Sequence, residues 1–412
     1  MKKLIKILLL LCASSLFAQL NKTHRIIEVG ADANVGVSNS AIGITDFLVK
    51  DLVIDVQDFV NRMDNTGLTV NFSTEEKTFV NFNLGIFRTG IFSRVEGFGN
   101  ISFSKELFDM LANGNDLDKS YHFSFPGSVE FFADAGAKFS LALMERRLRI
   151  NFIPSYYVPI LYVPDPDLTL DLKMGSNGKI KAHMDSNVDI YSIINLQPII
   201  EDERDTDKIR DEIFDAIKTN GGISLTMGAE YGLFNSLDIA FSTQIPITAG
   251  KVSYKARKHI QADFEAENIL DTLLNDGDIF STKDYGISEW YYSEEELSLR
   301  RPFRLDFSAV WHPMGYWMTV TPNLGFVLRN PGGEYSTWYL DAGASFDLTM
   351  LYFLGFHAGI HYKDKIFINS LGVSFNFRIV EIIAQAQLQS ASFINSFVGA
   401  GVGAYIGARI GI

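Results

Sequence analysis

The sequence VGAYIGARIGI at residues 402–412 has an apolar side chain at every second position. Ile406 and Ile410 lie on one face with alanines, whereas the other face carries glycines, Tyr405 and Arg409. This period of two predicts a β-strand with one apolar face and one face of glycine and polar groups. A strand of a soluble sandwich has the same pattern, so the rest of the chain must decide between a sandwich and a membrane barrel.

Residues 27–37 have the same alternation near the start of the chain. Ile27 and Val29 lie on one face, and Glu28 and Asp32 lie on the other. The first and last strands of a closed barrel pair with each other, because an open edge in lipid leaves backbone groups without partners. Two matching strands at the two ends of the sequence therefore favour a closed barrel.

Further period-two segments recur between these two stretches. Short turns near residues 89, 146, 235, 314, 352 and 381 alternate with longer connections, of which the longest span 38–78, 104–128, 163–220 and 250–300. Outer-membrane barrels have this asymmetry, with short periplasmic turns and long outer loops. The sequence predicts an all-β fold: a transmembrane antiparallel β-barrel of about 14 strands, formed by residues 19–412, with short helices in the extracellular loops.

Four segments of the longer connections have apolar residues three and four positions apart, which predicts helices. They are 45–63, 105–111, 206–218 and 265–275, and a hairpin is predicted around 176–178. Charged residues of the predicted strands fall opposite the apolar face, for example Glu28, Asp32, Arg94, Glu96, Glu130, Asp134, Glu230 and Arg409. They are expected to face the lumen, because a cation at the lipid midplane costs about 2–4 kcal/mol.

Residues 1–18 have the composition of a signal peptide. Three lysines precede an apolar run that is too short to span a bilayer, and Ala18 ends a cleavage site. A lipoprotein signal at Cys12 is the alternative. Cleavage after Ala18 removes the only cysteine, and with it disulfide and thiolate chemistry, and takes the formal net charge from −13 to −16 through loss of the three lysines. An acidic, exported chain is a poor nucleic-acid binder; the expected location is the outer membrane of a diderm bacterium.

With about 14 predicted strands, helical pieces in the outer loops and two especially long central loops, the chain resembles the FadL-like long-chain fatty-acid transporters of outer membranes. Its last part, with NSLGVSFNF at Asn369–Phe377 and LQSASF at Leu388–Phe393, resembles a divergent branch of that family. The resemblance implies passive uptake of hydrophobic molecules through a barrel with helical outer loops. Those transporters carry an N-terminal plug, whereas only residues 19–26 precede the first predicted strand here, so helix 45–63 is a candidate substitute. The expected partners are membrane lipids, a hydrophobic ligand such as a fatty acid, and the outer-membrane assembly machinery, with the barrel acting as a monomer.

The tentative ligand-binding residues are apolar side chains of the two longest connections and cations of the lumen. The apolar set is Ile193, Ile194, Leu196, Ile199, Phe214, Ile217, Leu270, Leu273, Leu274 and Phe280, and the cations are Lys138, Arg149, Arg304 and Arg378. Exposed apolar groups in outer loops need a partner, and a lumen cation can bind a carboxylate. Two structural alternatives stay open: the apolar residues pack loop helices together, and the cations form salt bridges with Glu130 or Asp306.

Signatures of catalysis and of cofactor binding are absent from the sequence, including the nucleophile elbow, the zinc-protease motif and the P-loop. His357 and His361 share a strand face, and the run 201–207 is acidic, but neither spacing matches a known metal site. The sequence therefore predicts no enzyme, no cofactor and no metal. The alternative to a transporter is a structural or adhesive barrel whose long loops bind external partners, and an outer-membrane enzyme is a more distant one.

Overall fold

The computed structural model describes residues 25–41, 57, 60–61, 63, 67–113, 120–174, 180–201, 206–266, 281–332, 336–350, 353–397 and 400–412. The strands are β1 (Ile27–Asn39), β2 (Leu68–Leu84), β3 (Phe87–Phe103), β4 (Ser120–Ser124), β5 (Gly127–Leu143), β6 (Leu148–Val163), β7 (Asp167–Met174), β8 (Ile180–Ser192), β9 (Gly222–Phe234), β10 (Leu237–Pro246), β11 (Gly250–Ala266), β12 (Ser281–Ile287), β13 (Tyr291–Leu299), β14 (Phe303–Trp311), β15 (Pro313–Tyr316), β16 (Met318–Arg329), β17 (Thr337–Met350), β18 (Leu354–Lys363), β19 (Ile366–Asn376), β20 (Val380–Ser390) and β21 (Gly401–Gly411). The helices are α1 (Lys105–Asn113), α2 (Gln197–Ile200) and α3 (Thr206–Thr219). The predicted signal peptide, 1–18, lies outside the described residues.

Fourteen strands form a closed antiparallel barrel. Their order around the wall is β1, β2, β3, β5, β6, β9, β10, β14, β16, β17, β18, β19, β20 and β21. Strand β1 closes the ring, because Val29 lies opposite both Val80 of β2 and Ile410 of β21. The predicted barrel of about 14 strands, and the predicted pairing of its first and last strands, are confirmed.

The two ends of the barrel carry connections of different length. One end, the short-turn end, has connections 85–86, 144–147, 235–236, 312–317, 351–353 and 377–379, and the long-connection end has 40–67, 104–126, 164–221, 247–302, 330–336, 364–365 and 391–400. The first long connection is shorter than the predicted 38–78. The reason is that β2 begins at Leu68 and pairs with β1 and β3 along its length.

Strands of the long connections form a second sheet, the connection sheet (β4, β7, β8, β11, β12 and β13). It joins the barrel where Leu161 and Tyr162 of β6 pair with β8. Helices α2 and α3 pack on this junction over a buried cluster that includes Val158, Ala216 and Val252. The cluster fixes the connection sheet over the long-connection end of the barrel.

The helix predictions have mixed outcomes. Helices α1 and α3 confirm the predictions at 105–111 and 206–218. The prediction at 265–275 is wrong for its first two residues, since Glu265 pairs with Lys181 in the β11–β8 ladder, and residues 267–280 lie outside the described part. Within 45–63, only Gln57, residues 60–61 and Met63 are described, and the first three of these are helical. No helix among the described residues is long and apolar enough to cross a membrane.

The barrel wall presents apolar side chains outward. Val29, Leu371, Ile406 and Ile410 are 50%, 72%, 59% and 60% exposed on the outer face. Because successive side chains of a strand point to opposite faces, the intervening polar residues face the lumen. The lumen is therefore where charged side chains can meet one another.

Candidate functional site

A layer of paired charges crosses the lumen towards the long-connection end. This ion-pair layer consists of Arg94, Arg301, Arg304, Arg329 and Lys363 together with Glu75, Glu96, Glu130, Asp134, Asp341 and Asp364. Several pairs span the lumen rather than join neighbouring strands: Arg329 of β16 reaches Glu130 of β5, and Lys363 of β18 lies 3.7 Å from Glu75 of β2. The layer therefore links opposite sides of the wall.

Arg301 is the most buried cation of the layer, with its side chain 2% exposed. Its Nη1 donates to Oδ2 of Asp134 at 2.6 Å, and its Nη2 donates to Oε1 of Glu96 at 3.0 Å. Arg94 donates from Nε to the other Asp134 oxygen at 3.0 Å. Because the Asp134 side chain is 0% exposed, two guanidinium groups stabilise its charge in place of water.

Arg301 reaches the lumen from the connection that precedes β14. Pro302 follows it, and the residue before a proline is held in an extended conformation. Leu299, on the other side, is buried in the cluster beneath α2 and α3. Arg301 is therefore fixed between the core of the connection sheet and the first residue of a barrel strand.

Arg329 forms the second centre of the layer. It contacts Glu130, donates from Nη2 to Oδ1 of Asp364 at 2.7 Å, and lies 4.4 Å from the centre of the Phe98 ring. Asp364 and Lys365 form the turn between β18 and β19 with φ angles of 52° and 66°. Two residues with positive φ are typical of a tight type I′ hairpin, and this turn carries the Asp364 carboxylate to Arg329.

The space left within the layer is small. A cavity of about 60 Å³ is lined by Glu75, Glu96, Glu130, Arg304, Arg329 and Lys363, among others. A water molecule occupies about 30 Å³ in the liquid, so the cavity has room for about two. This cavity is therefore too small for a solute much larger than water.

Three of the four predicted lumen cations lie on lumen-facing positions. Arg149 donates from Nη1 to Glu230 at 3.2 Å, and Arg304 lies 3.6 Å from Asp341. These carboxylates are not the two that the sequence suggested. Lys138 has no hydrogen bond or ion pair with any described residue.

Arg378 is placed differently from its prediction. Strand β19 ends at Asn376, so Arg378 lies in the turn between β19 and β20 at the short-turn end, with φ 70° and an exposed side chain. The prediction that Arg378 faces the lumen from a strand is wrong, because the period-two pattern continues past the end of the ladder.

The predicted apolar residues that the structure describes are mainly packed. Ile193 and Ile194 are 2% and 8% exposed in the cluster beneath α2 and α3, and Ile199 and Ile217 pack against it. Leu196 is half-buried at the start of α2, whereas Phe214 is 56% exposed. Leu270, Leu273, Leu274 and Phe280 lie outside the described residues. The described members thus hold helices onto the connection sheet, and Phe214 alone among them presents a large exposed surface.

The outer wall carries an apolar groove of 590 Å³ over β9, β10, β14 and β16. Its lining includes Phe241, Phe307, Ala309, Pro322 and Leu324. The β14–β16 ladder pairs Ser308 with Asn323 and next pairs Trp311 with Val320, so Ala309 has no partner in β16. Proline has no N–H to donate to a ladder, which explains the interruption beside Pro322.

The lumen histidine His357 is held by two neighbouring side chains. His357 contacts Asp347 through Nδ1 at 2.6 Å and Ser374 through Nε2 at 2.9 Å. Nowhere in the described part of the chain do three or more His, Cys, Asp or Glu side chains form a group suited to a metal ion.

Residues 22–409 match a family of unknown function, DUF5723. The chain belongs to this family. No curated protein sequence matches it. Similar solved structures include the Pseudomonas putida toluene transporter TodX (9% identity, 96% of this chain and 92% of that one, TM-score 0.47) and a Pseudomonas aeruginosa FadL homologue (10% identity, 95% and 91%, TM-score 0.45). The translocator domain of the autotransporter NalP from Neisseria meningitidis is also similar (7% identity, 97% of both chains, TM-score 0.33). These likenesses describe the fold alone.

Sequence reasoning missed Arg301, Arg329 and Asp364 in this family member. Arg329 could have been found from the alternation of faces along β16, because it lies on the same lumen-facing side as Asn323 and Gly325. Arg301 and Asp364 lie in connections, where no periodicity gives the direction of a side chain. Their positions depend on long-range packing.

Proposed function

We propose that this barrel is a passive uptake route for hydrophobic small molecules, fatty acids among them, across the outer membrane. One contrast carries the proposal. The ion-pair layer obstructs the axis of the lumen, whereas the wall carries an apolar groove of 590 Å³ where a ladder is interrupted. A water-filled pore for polar solutes is disfavoured by the first feature, and an apolar molecule is favoured by the second.

The groove is the proposed place where an apolar molecule exchanges between barrel and bilayer. At this point Ala309 has no partner in the β14–β16 register, and Pro322 has no N–H to donate, so separating β14 from β16 is expected to break fewer hydrogen bonds than at a continuous ladder. Moving through the ion-pair layer instead requires separating buried charges, and breaking one such pair costs about 3–5 kcal/mol. For a molecule without polar groups, passage through the wall therefore costs less free energy than passage through the ion-pair layer.

The proposal fixes an orientation. The long connections face outward from the cell, and a hydrophobic molecule first lands on exposed apolar surface there, of which Phe214 and Ile200 (38% exposed) are the described candidates. Membrane lipids surround the wall, the assembly machinery inserts the chain after removal of residues 1–18, and the barrel works as a monomer. The carboxylate of a fatty acid needs a cation, and Lys138 is the lumen cation available for it.

Uptake in intact cells tests this function, because the outer membrane of a diderm host is itself a barrier to hydrophobic compounds. Labelled laurate is supplied to cells that lack their own fatty-acid channel and express this protein. We expect uptake above that of cells without the protein, and a severalfold loss in Ala309→Trp, which fills the groove. Ala384→Trp, on an exposed outer position of β20, is the matched control and should retain uptake. No uptake above background, or equal uptake by both variants, contradicts the proposal.

A structural or adhesive barrel is the second candidate. The observation that favours it is the connection sheet, whose side chains such as His122, Asp171 and Lys251 are 65%, 51% and 47% exposed. If adhesion is the function, Ala309→Trp leaves the phenotype of the cell unchanged while removal of connection-sheet charges alters it. Ala309→Trp and variants without the connection-sheet charges together separate the two functions.

A further inference from the structure

One carboxylate lies on the outer face of the barrel wall. Glu76 of β2 is directly opposite Ala33 of β1 and Val95 of β3, and residues opposite each other in a ladder share a face. Ala33 and Val95 are exposed on the lipid side, whereas the neighbouring Glu75 lines the lumen cavity of the ion-pair layer. Among the described residues of the fourteen wall strands, Glu76 is the only charged side chain at an outward-facing position.

Glu76 lies inside the apolar band of the wall. The lower edge of the band is marked by Leu84 and Ile86, which are 63% and 59% exposed at the turn after β2. Glu76 is eight residues from Leu84 along β2. At about 3.3 Å per residue and a strand tilt of about 40°, its carboxylate is about 20 Å above the turn, within a band about 25 Å tall. Ionisable side chains at such depth are costly and typical of functional positions. Because no described residue forms a hydrogen bond or ion pair with Glu76, a donor must come from outside the chain.

An apolar groove of 510 Å³ lies on the outer wall between Glu76 and the short-turn end, over β21, β1, β2 and β3. Thr78 and Ser93, which pair in the β2–β3 ladder, bring two hydroxyl groups to the part of the groove next to Glu76. The rest of the lining is mainly apolar and includes Val29, Ile91 and Ile410, which are 50%, 62% and 60% exposed. Binding sites for small molecules have volumes of about 300–1,000 Å³, so the groove can hold part of an alkyl chain.

The position and charge of this region define its occupant. The groove opens to the bilayer, so the occupant comes from the bilayer rather than from the lumen. A carboxylate only accepts hydrogen bonds, and an ammonium group supplies both N–H donors and the opposite charge. A second copy of the chain fits less well, because a two-fold contact would bring one Glu76 close to the other. Charge complementarity therefore favours a lipid with an ammonium head group.

We propose that the outer wall over β21, β1, β2 and β3 binds a membrane lipid with a primary ammonium head group. The ammonium donates to Glu76 beside the hydroxyls of Thr78 and Ser93, and an alkyl chain lies in the groove. The juxtaposition of a carboxylate without a described partner, two hydroxyls and an apolar groove on the lipid face carries the proposal. The site is about half the ring away from the groove over β9, β10, β14 and β16, so it is distinct from the proposed uptake route and does not depend on it.

Native mass spectrometry of the purified full-length barrel in a nonionic detergent tests the head-group site, with dilauroyl phosphatidylethanolamine and dilauroyl phosphatidylcholine as ligands. The two lipids have the same chains and the same net charge, but only the ethanolamine ammonium has N–H donors. Because its hydrogen bonds to a carboxylate are charge-assisted, we expect the ethanolamine lipid to bind about tenfold more tightly. Glu76→Gln should remove this preference. Glu294→Gln, which removes an exposed carboxylate of the connection sheet, is the matched control and should keep it.

Filling the groove tests the contact with the alkyl chain separately. Ala31→Trp places an indole ring in the groove lining, and we expect severalfold weaker binding of both lipids. Ala384→Trp, at an exposed outer position of β20 outside the groove, should bind both lipids as the wild type does. Heat-dependent electrophoretic mobility establishes that each variant is folded.

Three results would overturn the lipid site. Equal binding of the two lipids by the wild type, or a preference that persists in folded Glu76→Gln, means that Glu76 does not bind the head group. Unchanged binding by folded Ala31→Trp means that the groove does not hold the chain. A dimer of the wild type that Ala31→Trp converts to a monomer would identify a second copy of the chain as the occupant.

Discussion

Arg257 and Arg301 each donate several hydrogen bonds to carboxylates, Arg257 in the connection sheet and Arg301 in the lumen. The Arg257 bonds, 2.6 and 2.7 Å to the two oxygens of Asp189, are at least as short as those of Arg301, 2.6 Å to Asp134 and 3.0 Å to Glu96. The Arg257 side chain is 47% exposed, whereas that of Arg301 is 2% exposed. Exposed pairs contribute about 0–1 kcal/mol, but loss of one partner from a buried pair costs about 3–5 kcal/mol. Burial, rather than bond length, therefore decides which charges the barrel cannot lose.

The largest effect is expected for Arg301→Met. The substitution leaves the fully buried Asp134 with Arg94 as its remaining partner, and we expect the free energy of unfolding to fall by about 3–5 kcal/mol. Arg300→Met is the matched control, because Arg300 is exposed and bonds only the carbonyl of Pro331 at 3.3 Å among its described side-chain contacts. Urea unfolding in lipid vesicles measures both, and an equal loss in the two variants contradicts the comparison.

A charge placed on the lipid face should be next in size. Ile406 points outward on β21, and a lysine there costs about 2–4 kcal/mol near the midplane. Arg409, on the lumen side of the same strand, lies 3.7 Å from Asp32 and is 30% exposed. We therefore expect Ile406→Lys to block assembly and Arg409→Ala to permit it, as measured by the folded fraction on unheated gels. Equal tolerance of both would reverse the assigned faces.

Arg257→Met tests whether the exposed ion pair of the connection sheet contributes little to stability. Its two short bonds to Asp189 are accessible to water, and Lys255, 3.2 Å from the same carboxylate, still neutralises it after the substitution. We expect the free energy of unfolding to fall by less than about 1 kcal/mol. A loss as large as that of Arg301→Met would mean that bond geometry outweighs burial.

The smallest effect is expected from pH, at the exposed His183. A hydrogen bond with Asp263, at 2.8 Å, raises the pKa of His183 against the opposing effect of burial. A raised pKa in the folded state gives a contribution that is complete below the ordinary histidine pKa of about 6.5 and is lost as pH rises through the folded value. The stability difference between wild type and His183→Gln should therefore shrink between about pH 6 and pH 8. A difference that stays constant with pH contradicts this assignment.

The barrel itself could be predicted from sequence because each wall strand separates an apolar face from a polar one. Val29 and Ile410 carry that signal, and their pairing across the closure follows from it. Strand β11 could not be predicted in this way, since most of its contacts lie within the connection sheet rather than between lipid and lumen. Glu265 was therefore assigned to a helix, although it pairs with Lys181.

The candidate site was predictable only where it lies on wall strands. Lys138 and Arg304 could be predicted because they occupy lumen-facing alternate positions of β5 and β14. Arg301 and Asp364 could not, because a proline-bounded connection and a tight turn direct them, and both depend on residues distant in sequence. The gap in the β14–β16 ladder at Ala309 was also missed, since it depends on strand register.

Ion conductance of the purified barrel in a planar bilayer most directly tests the claim that paired charges close the lumen. The account predicts no steady open level for the wild type and the appearance of ion-conducting openings in folded Arg301→Met, with Arg300→Met silent. A steady open level in the wild type, comparable to that of a water-filled porin, would contradict the account.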